Sequence, residues 1–166
     1  EQCKDRIRFE YPDSAGKKIV LWAPTFRGNA AKASLVGEDA INMLTYDGEL
    51  TKDYYIIKSP HPHIGVDGLP FSTDELIAGS DMLITDYSSV FFEFLLRDKP
   101  IIFMAPDYEE YYKQRGFYLD YEELPGKLVI GKESLYERVK KAILYYEEQD
   151  EYVDSRDKYR KEYMGS

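Results

Sequence analysis

The sequence SDMLITDYSSVFFEFLLRDKPIIF, residues 80–103, decides the fold of this chain. Residues 82–85 and 100–103 are short apolar runs, which are typical of strands buried on both faces of a sheet. Between them, apolar side chains recur at helical spacing: Val90, Phe91, Phe94 and Leu95. The segment therefore predicts a strand, a polar turn, a helix and a second strand, in that order.

The polar turn at Ser88 and Ser89 brings together several groups that bind anions. Either serine stands where the N-cap of the helix is expected, so its hydroxyl would lie beside the free backbone N–H groups of the first turn. Glu93 follows about one helical turn later, where a carboxylate accepts hydrogen bonds from ribose hydroxyls. The turn therefore predicts an anion site, while the alternative that the serines only cap the helix stays open.

Further strands and helices alternate on both sides of this segment. The apolar runs at 17–23, 54–58 and 128–130 predict strands. Helical spacing or capping predicts helices over residues 35–50, 72–78, 108–114 and 134–146. This alternation predicts an α/β fold, with a Rossmann-like, mostly parallel sheet and helices on both faces.

Polar side chains lie just beyond the carboxyl ends of three predicted strands. They are Thr25 and Arg27 after the first strand, Lys58 and His61 at and after the second, and Ser88 and Ser89 after the third. Open parallel sheets bind ligands at this edge. The sequence therefore predicts one ligand site built from all three segments.

Four motifs occur in an order that marks a known family. They are Ala23 to Arg27, then Lys58 to Pro62, then Thr85 to Ser89 running into Glu93 and Lys99 to Phe103, and last Arg115 to Tyr118 with Asp120 to Glu123 and Pro125-Gly126. Over roughly residues 17–146 the chain resembles the CDP-glycerol glycerophosphotransferases of teichoic acid synthesis.

The resemblance implies the C-terminal, donor-binding half of a GT-B fold. Such enzymes move glycerol phosphate or ribitol phosphate from CDP-glycerol or CDP-ribitol to a lipid-linked acceptor. They work in the cytoplasm, peripherally attached to the inner face of the cell membrane. The acceptor side and its histidine base belong to an N-terminal domain that nothing in this chain matches. We therefore expect residues 1–166 to bind the donor and to be inactive alone.

The resemblance also implies roles for single residues. Six of them would hold the nucleotide diphosphate: Thr25, Arg27, Lys58, His61, Ser88 and Ser89. Glu93 would contact the ribose, and His61 would also take a catalytic part by stabilising the leaving phosphate. Lys58 lies further from the His-Pro pair than the basic residue of many relatives.

Composition and motif content argue against several ligands, partners and cross-links. No Asp-x-Asp type cluster stands beside these segments, and His61 and His63 have no evident third ligand, so we expect no metal and no cofactor. A net charge of −9 argues against nucleic acid as a partner. Cys3 is the single cysteine, so no disulfide forms within the chain.

The chain has the length of one domain, with 166 residues and no initiator Met. We expect residues 1–16 to lead in from a missing preceding domain, residues 17–146 to form the nucleotide-donor domain, and residues 147–166 to form a charged helix or tail. Two alternatives remain open: the donor domain of a GT-B glycosyltransferase that uses a UDP-sugar, and a noncatalytic α/β binding module.

Overall fold

A computed structural model describes residues 2–23, 39–58, 73–85, 94–97, 99–105, 126–130, 133–148, 154, 156–158 and 161 of the chain. Within these residues five strands form one sheet in the order β2-β1-β3-β4-β5, and each pair of neighbours is parallel. The strands are β1 (Lys18–Ala23), β2 (Tyr54–Lys58), β3 (Met82–Thr85), β4 (Ile101–Ala105) and β5 (Lys127–Ile130). The predicted parallel sheet is therefore confirmed.

The helices lie before, between and after these strands. They are α1 (Gln2–Glu10), α2 (helical over residues 39–45), α3 (Thr73–Gly79) and α4 (Leu135–Glu148), with a short 3-10 helix at Pro12–Ser14. Residues 94–95, 154, 156–158 and 161 are also helical. The helix predicted over residues 108–114 lies outside the described residues.

One face of the sheet carries a hydrophobic core. Alternate residues of β1, β3 and β4 point to this face, because successive side chains of a strand face opposite ways. They pack with side chains of α2 and α4 in one buried cluster, which includes Val20, Ile84, Met104, Leu44 and Val139. This face holds two helices against the sheet.

The opposite face carries α1 and α3. Leu21 and Leu83 are fully buried and alternate with the core residues of the first face, and α3 contacts β1. α1 packs on α3 where Gly79 has no side chain: a Cβ there would lie 2.5 Å from Cδ1 of Ile7. Helices therefore cover both faces, as the sequence predicts.

The helix α1 was not predicted, since residues 1–16 gave only a charged lead-in. Its apolar residues are too few for a helical stripe, and Ile7 is its one fully buried apolar side chain among those described. Two ion pairs hold it to neighbouring elements: Lys4 pairs with Asp81, just before β3, and Arg6 pairs with Glu75 of α3. Tertiary contacts thus stabilise a helix that sequence periodicity does not show.

Polar groups at the amino ends of the strands have structural partners. Asp81 accepts a 2.8 Å hydrogen bond from the backbone N–H of Ile19 through Oδ2 and pairs with Lys4 through Oδ1. Lys99 donates a 2.7 Å bond from Nζ to the carbonyl oxygen of Ser80, and burial lowers the pKa of this ammonium. These groups bind α1, β1 and β3 together at the edge away from the predicted ligand site.

A second polar cluster joins the turn after α2 to α4. Asp47 accepts backbone hydrogen bonds from Glu49 and Leu50 at 3.0 Å, a side-chain bond from Tyr136, and a 2.9 Å contact from Lys140 Nζ. The bond from Tyr136, followed by that from Lys140, holds the pKa of Asp47 far below its usual range. The same contact with Asp47 is the main reason that the pKa of Lys140 rises to about 12.

This cluster predicts acid sensitivity. A carboxyl group whose pKa is lowered by folding stabilises the protein above its unfolded pKa, near 4, and this contribution is lost as the pH falls further. We expect Asp47→Asn to lower Tm by several degrees at pH 7 and by progressively less below pH 4. Thermal melts from pH 7 to pH 3 measure this difference. Asp53→Asn, which changes an exposed aspartate nearby, is the matched control and should melt like the parent. A constant gap between Asp47→Asn and the parent at every pH would contradict the prediction.

Candidate functional site

The carboxyl ends of β2, β1 and β3 lie side by side. Lys58, the last residue of β2, is in register with Trp22, and the last residues of β1 and β3, Ala23 and Thr85, are in register with each other. Neighbouring strands lie about 4.8 Å apart, so the three ends span about 10 Å. Because β2 lies on one side of β1 and β3 on the other, the gap between β1 and β3 is the topological switch point, where open α/β sheets bind ligands.

Of the predicted site residues, the structure describes Lys58. The others lie outside the described residues: Thr25, Arg27, His61, Ser88, Ser89 and Glu93. Along the chain, Thr25 is two residues beyond the end of β1, while His61 and Ser88 are each three residues beyond the ends of β2 and β3. The three segments therefore leave the sheet at neighbouring points. The roles of their side chains remain predictions.

Lys58 is exposed and oriented by a neighbour from α2. Its Nζ donates a 2.7 Å hydrogen bond to Oδ1 of Asn42. Asn42 is neutral, so this bond orients the ammonium without neutralising it, and an ammonium has further N–H groups to donate. Lys58 can thus present a positive charge at the carboxyl edge. Sequence reasoning missed Asn42, because it is 16 residues from Lys58 and on another element.

Thr85 is a second residue at this edge that sequence reasoning assigned no role. Its side chain is 1% exposed, and Oγ1 donates a 2.7 Å hydrogen bond to the carbonyl oxygen of Ala23. The bond joins the last residues of β1 and β3 across the switch point. The available signals were a hydroxyl at the end of an otherwise apolar strand and the place of Thr85 at the start of the third family-like motif.

Gly126, from the last family-like motif, has a packing role. A Cβ on this residue would lie 2.9 Å from a ring carbon of Phe103 and closer still to the carbonyl oxygen of Ile101. The same carbonyl accepts a 2.9 Å hydrogen bond from the hydroxyl of the buried Tyr146. The glycine therefore allows β5 and α4 to close against β4.

In the part of the chain that the structure describes, no group of three or more His, Cys, Asp or Glu side chains is placed to hold a metal ion. Nor does any described helix have the length and apolar character needed to cross a membrane.

The whole chain matches one protein family. The family model described as CDP-Glycerol:Poly(glycerophosphate) glycerophosphotransferase matches residues 1–165. This match begins upstream of residue 17, where the resemblance in the sequence was expected to start. The helix α1 therefore lies inside the matched region.

Bacterial polymerases are among the similar sequences. The chain is 33% identical over 165 residues to the teichoic acid poly(ribitol-phosphate) polymerase of Bacillus spizizenii, covering 90% of this chain and 27% of that protein. It is 36% identical over 156 residues to the teichoic acid poly(glycerol phosphate) polymerase of the same species, covering 84% and 39%. The chain thus spans about a quarter to two fifths of the length of these curated relatives.

Solved structures show the same fold. A variant of the wall teichoic acid polymerase TagF superposes with a TM-score of 0.68 at 29% identity, covering 93% of this chain and 42% of that chain. A TagF structure soaked with CDPG gives a TM-score of 0.66 at 29% identity, with 93% and 40% covered. The lipopolysaccharide glycosyltransferase WaaG, at 15% identity, a TM-score of 0.51 and coverage of 95% and 46%, shares the fold alone. These neighbours confirm the predicted Rossmann-like unit of GT-B type.

Proposed function

Because this chain belongs to the CDP-glycerol:poly(glycerophosphate) glycerophosphotransferase family, we propose that it binds a CDP-polyol donor at the carboxyl edge of its sheet. The observation that carries the proposal is the switch point between β1 and β3, where two of the predicted diphosphate-binding segments start from strand ends in register. Support for the ligand comes from TagF, which has this fold and was soaked with CDPG.

Several hydrogen-bond donors would contact the diphosphate at this edge. Ser88 and Ser89 would offer hydroxyls and backbone N–H groups to the diphosphate, and Arg27 would add a bidentate guanidinium, with Thr25 beside it. Charge developing on a leaving phosphate can be stabilised by such groups without a metal ion. We therefore propose a site that uses no metal and no other cofactor.

Lys58 and His61 would complete the phosphate contacts from the β2 side, with Glu93 accepting hydrogen bonds from the ribose. The bond to Asn42 keeps the Lys58 ammonium at the edge while leaving its charge available. A histidine near the bridging oxygen can donate a hydrogen bond or a proton to the leaving phosphate. This is the catalytic part that we propose for His61.

For the whole protein we propose transfer of a polyol phosphate to a lipid-linked acceptor in the synthesis of a teichoic acid or related polymer. The similar proteins are named for ribitol phosphate and for glycerol phosphate alike, so both CDP-ribitol and CDP-glycerol are candidate donors. We further propose that another part of the protein binds the acceptor. The whole protein would work in the cytoplasm, on the inner face of the cell membrane.

Calorimetric titration of the chain tests the donor assignment. We expect heat of binding with CDP-glycerol or CDP-ribitol and with CDP, and much weaker binding of UDP and UDP-sugars. Tighter binding of a UDP-sugar would favour the glycosyltransferase alternative. No binding of any nucleotide would favour a noncatalytic module and overturn the proposal.

The two serines can be tested separately from the fold. Replacing Ser88 and Ser89 together by alanine should weaken CDP binding by about 1–3 kcal/mol, the scale for losing hydrogen bonds to a charged group. The melting temperature should change little, because the hydroxyls are proposed to face the ligand. If the double variant binds CDP normally but melts several degrees lower, the serines only cap a helix.

A further inference from the structure

Thr85 occupies a position where an apolar residue would satisfy packing alone. The other residues of β3, Met82 to Ile84, are apolar and buried, and Thr85 itself is 1% exposed. Burying a hydroxyl costs free energy unless it forms a hydrogen bond, whereas valine has nearly the same shape without that cost. The hydroxyl therefore needs an explanation beyond filling space.

The partner of this hydroxyl lies on the other side of the switch point. The ladder between β1 and β3 ends at the pair Ala23 and Thr85, and the 2.7 Å bond from Thr85 Oγ1 to the Ala23 carbonyl oxygen adds a side-chain link at that last pair. From these two residues the chain continues into the segments that carry Thr25 and Arg27 and the serine pair. The link thus fixes the separation of the two points at which those segments leave the sheet.

The same bond satisfies a carbonyl oxygen at an edge proposed to bind an anion. An unpaired backbone carbonyl presents a partial negative charge and needs a donor. The Thr85 hydroxyl gives the Ala23 carbonyl a donor from within the protein, which reduces the negative charge that this oxygen presents at the edge.

We propose that Thr85 is a positioning residue of the nucleotide-donor site, acting through the starts of the segments after β1 and β3. This inference rests on the proposed donor function. A bound nucleotide would bridge both segments, so relaxing their separation by a fraction of an ångström would weaken contacts on both sides at once.

The test compares three variants with the parent chain. Thr85→Val removes the hydroxyl and keeps the shape, Thr85→Ser keeps the hydroxyl, and Ser80→Ala is the matched control. Ser80 lies just before the amino end of β3, is fully buried, and donates a 2.6 Å hydrogen bond to the carbonyl oxygen of Leu76. This bond also joins a buried hydroxyl to a backbone carbonyl, but it lies at the end of β3 away from the site. The readouts are Tm, calorimetric affinity for CDP, and hydrogen–deuterium exchange of the unliganded chain.

We expect Thr85→Val to weaken CDP binding about tenfold, the effect of losing one buried hydrogen bond at the upper end of its range. Thr85→Ser should bind within about twofold of the parent. Ser80→Ala should lower Tm as much as Thr85→Val does and leave the affinity for CDP unchanged. Hydrogen–deuterium exchange should be faster in Thr85→Val than in the parent for the peptides that follow the carboxyl ends of β1 and β3. It should be unchanged in Thr85→Ser.

The affinity for CDP and the hydrogen–deuterium exchange together distinguish a failure of this inference from a failure of the proposed function. If the parent chain fails to bind CDP, the proposed function fails, and the exchange data alone still decide whether Thr85 fixes the two segments. If Thr85→Val binds CDP like the parent, or loses affinity only as Ser80→Ala does, the positioning role is overturned. Unchanged exchange at both segments would overturn it as well.

Discussion

Gly126→Ala is expected to lower the free energy of unfolding by about 1–3 kcal/mol, the range for an overpacked core, and Tm by roughly 2–12 °C. The added methyl would press on the backbone carbonyl of Ile101 and on the ring of Phe103. Ile101 begins β4, which is paired on both sides, so its backbone carbonyl cannot turn aside as a flexible side chain can. The strand β5, which begins at the next residue and pairs with β4, would have to move away from it.

Thermal and urea melts measure this loss, and Gly48→Ala is the matched control. A Cβ at Gly48 meets nothing within 4 Å, so that substitution should change stability by less than about 1 kcal/mol, in either direction. Equal Tm values for the two variants would show that β5 shifts freely. In that case Gly126 would be required for something other than packing.

Strands buried on both faces were predictable from the sequence alone. The apolar runs at 82–85 and 100–103 are typical of strands in the interior of a parallel sheet, and the structure has strands at Met82–Thr85 and Ile101–Ala105. All strands of a parallel sheet end at the same edge, so the edge on which the candidate site must lie was predictable. The order β2-β1-β3-β4-β5 was not predicted, because alternating strands and helices leave more than one topology open.

The polar contacts were not predictable, because each joins residues far apart in the sequence. Asp47 and Tyr136 are 89 residues apart, and Thr85 and Ala23 are 62 apart. Neither pair lies within a motif of fixed spacing, so only the folded chain brings them together. The helix α1 was missed for the same reason, since its ion pairs are with Asp81 and Glu75.

Donor binding without transfer is the second large effect that we expect. In the proposed reaction an acceptor hydroxyl attacks the phosphorus next to the polyol, a new P–O bond forms, and the bond to the bridging oxygen breaks to release CMP. The hydroxyl proton must pass to a base on the acceptor side. Both histidines of this chain follow β2 in the sequence, and His61 is assigned above to the donor side of the proposed site.

The chain alone should therefore bind a CDP-polyol and release no measurable CMP when a lipid-linked acceptor is added. Loss of a general base costs about 10²–10⁴-fold in rate, and loss of the oriented acceptor costs further orders of magnitude. Adding the acceptor-binding part of the protein should restore transfer. A radiolabelled CDP-glycerol assay measures both states, with nucleotide binding by the chain as the control for correct folding.

CMP release by the chain alone would contradict this expectation and would assign the base to His61 or His63. His61→Ala and His63→Ala distinguish the two. Replacing the histidine that acts as the base would abolish CMP release, whereas replacing the other histidine would leave release unchanged. If instead release appears only with the added part and falls with His61→Ala, His61 acts on the leaving phosphate. A histidine that protonates a leaving group must be charged before the reaction, whereas a base must be neutral. The two roles therefore give opposite pH dependences, with activity falling at high pH for the acid and at low pH for the base.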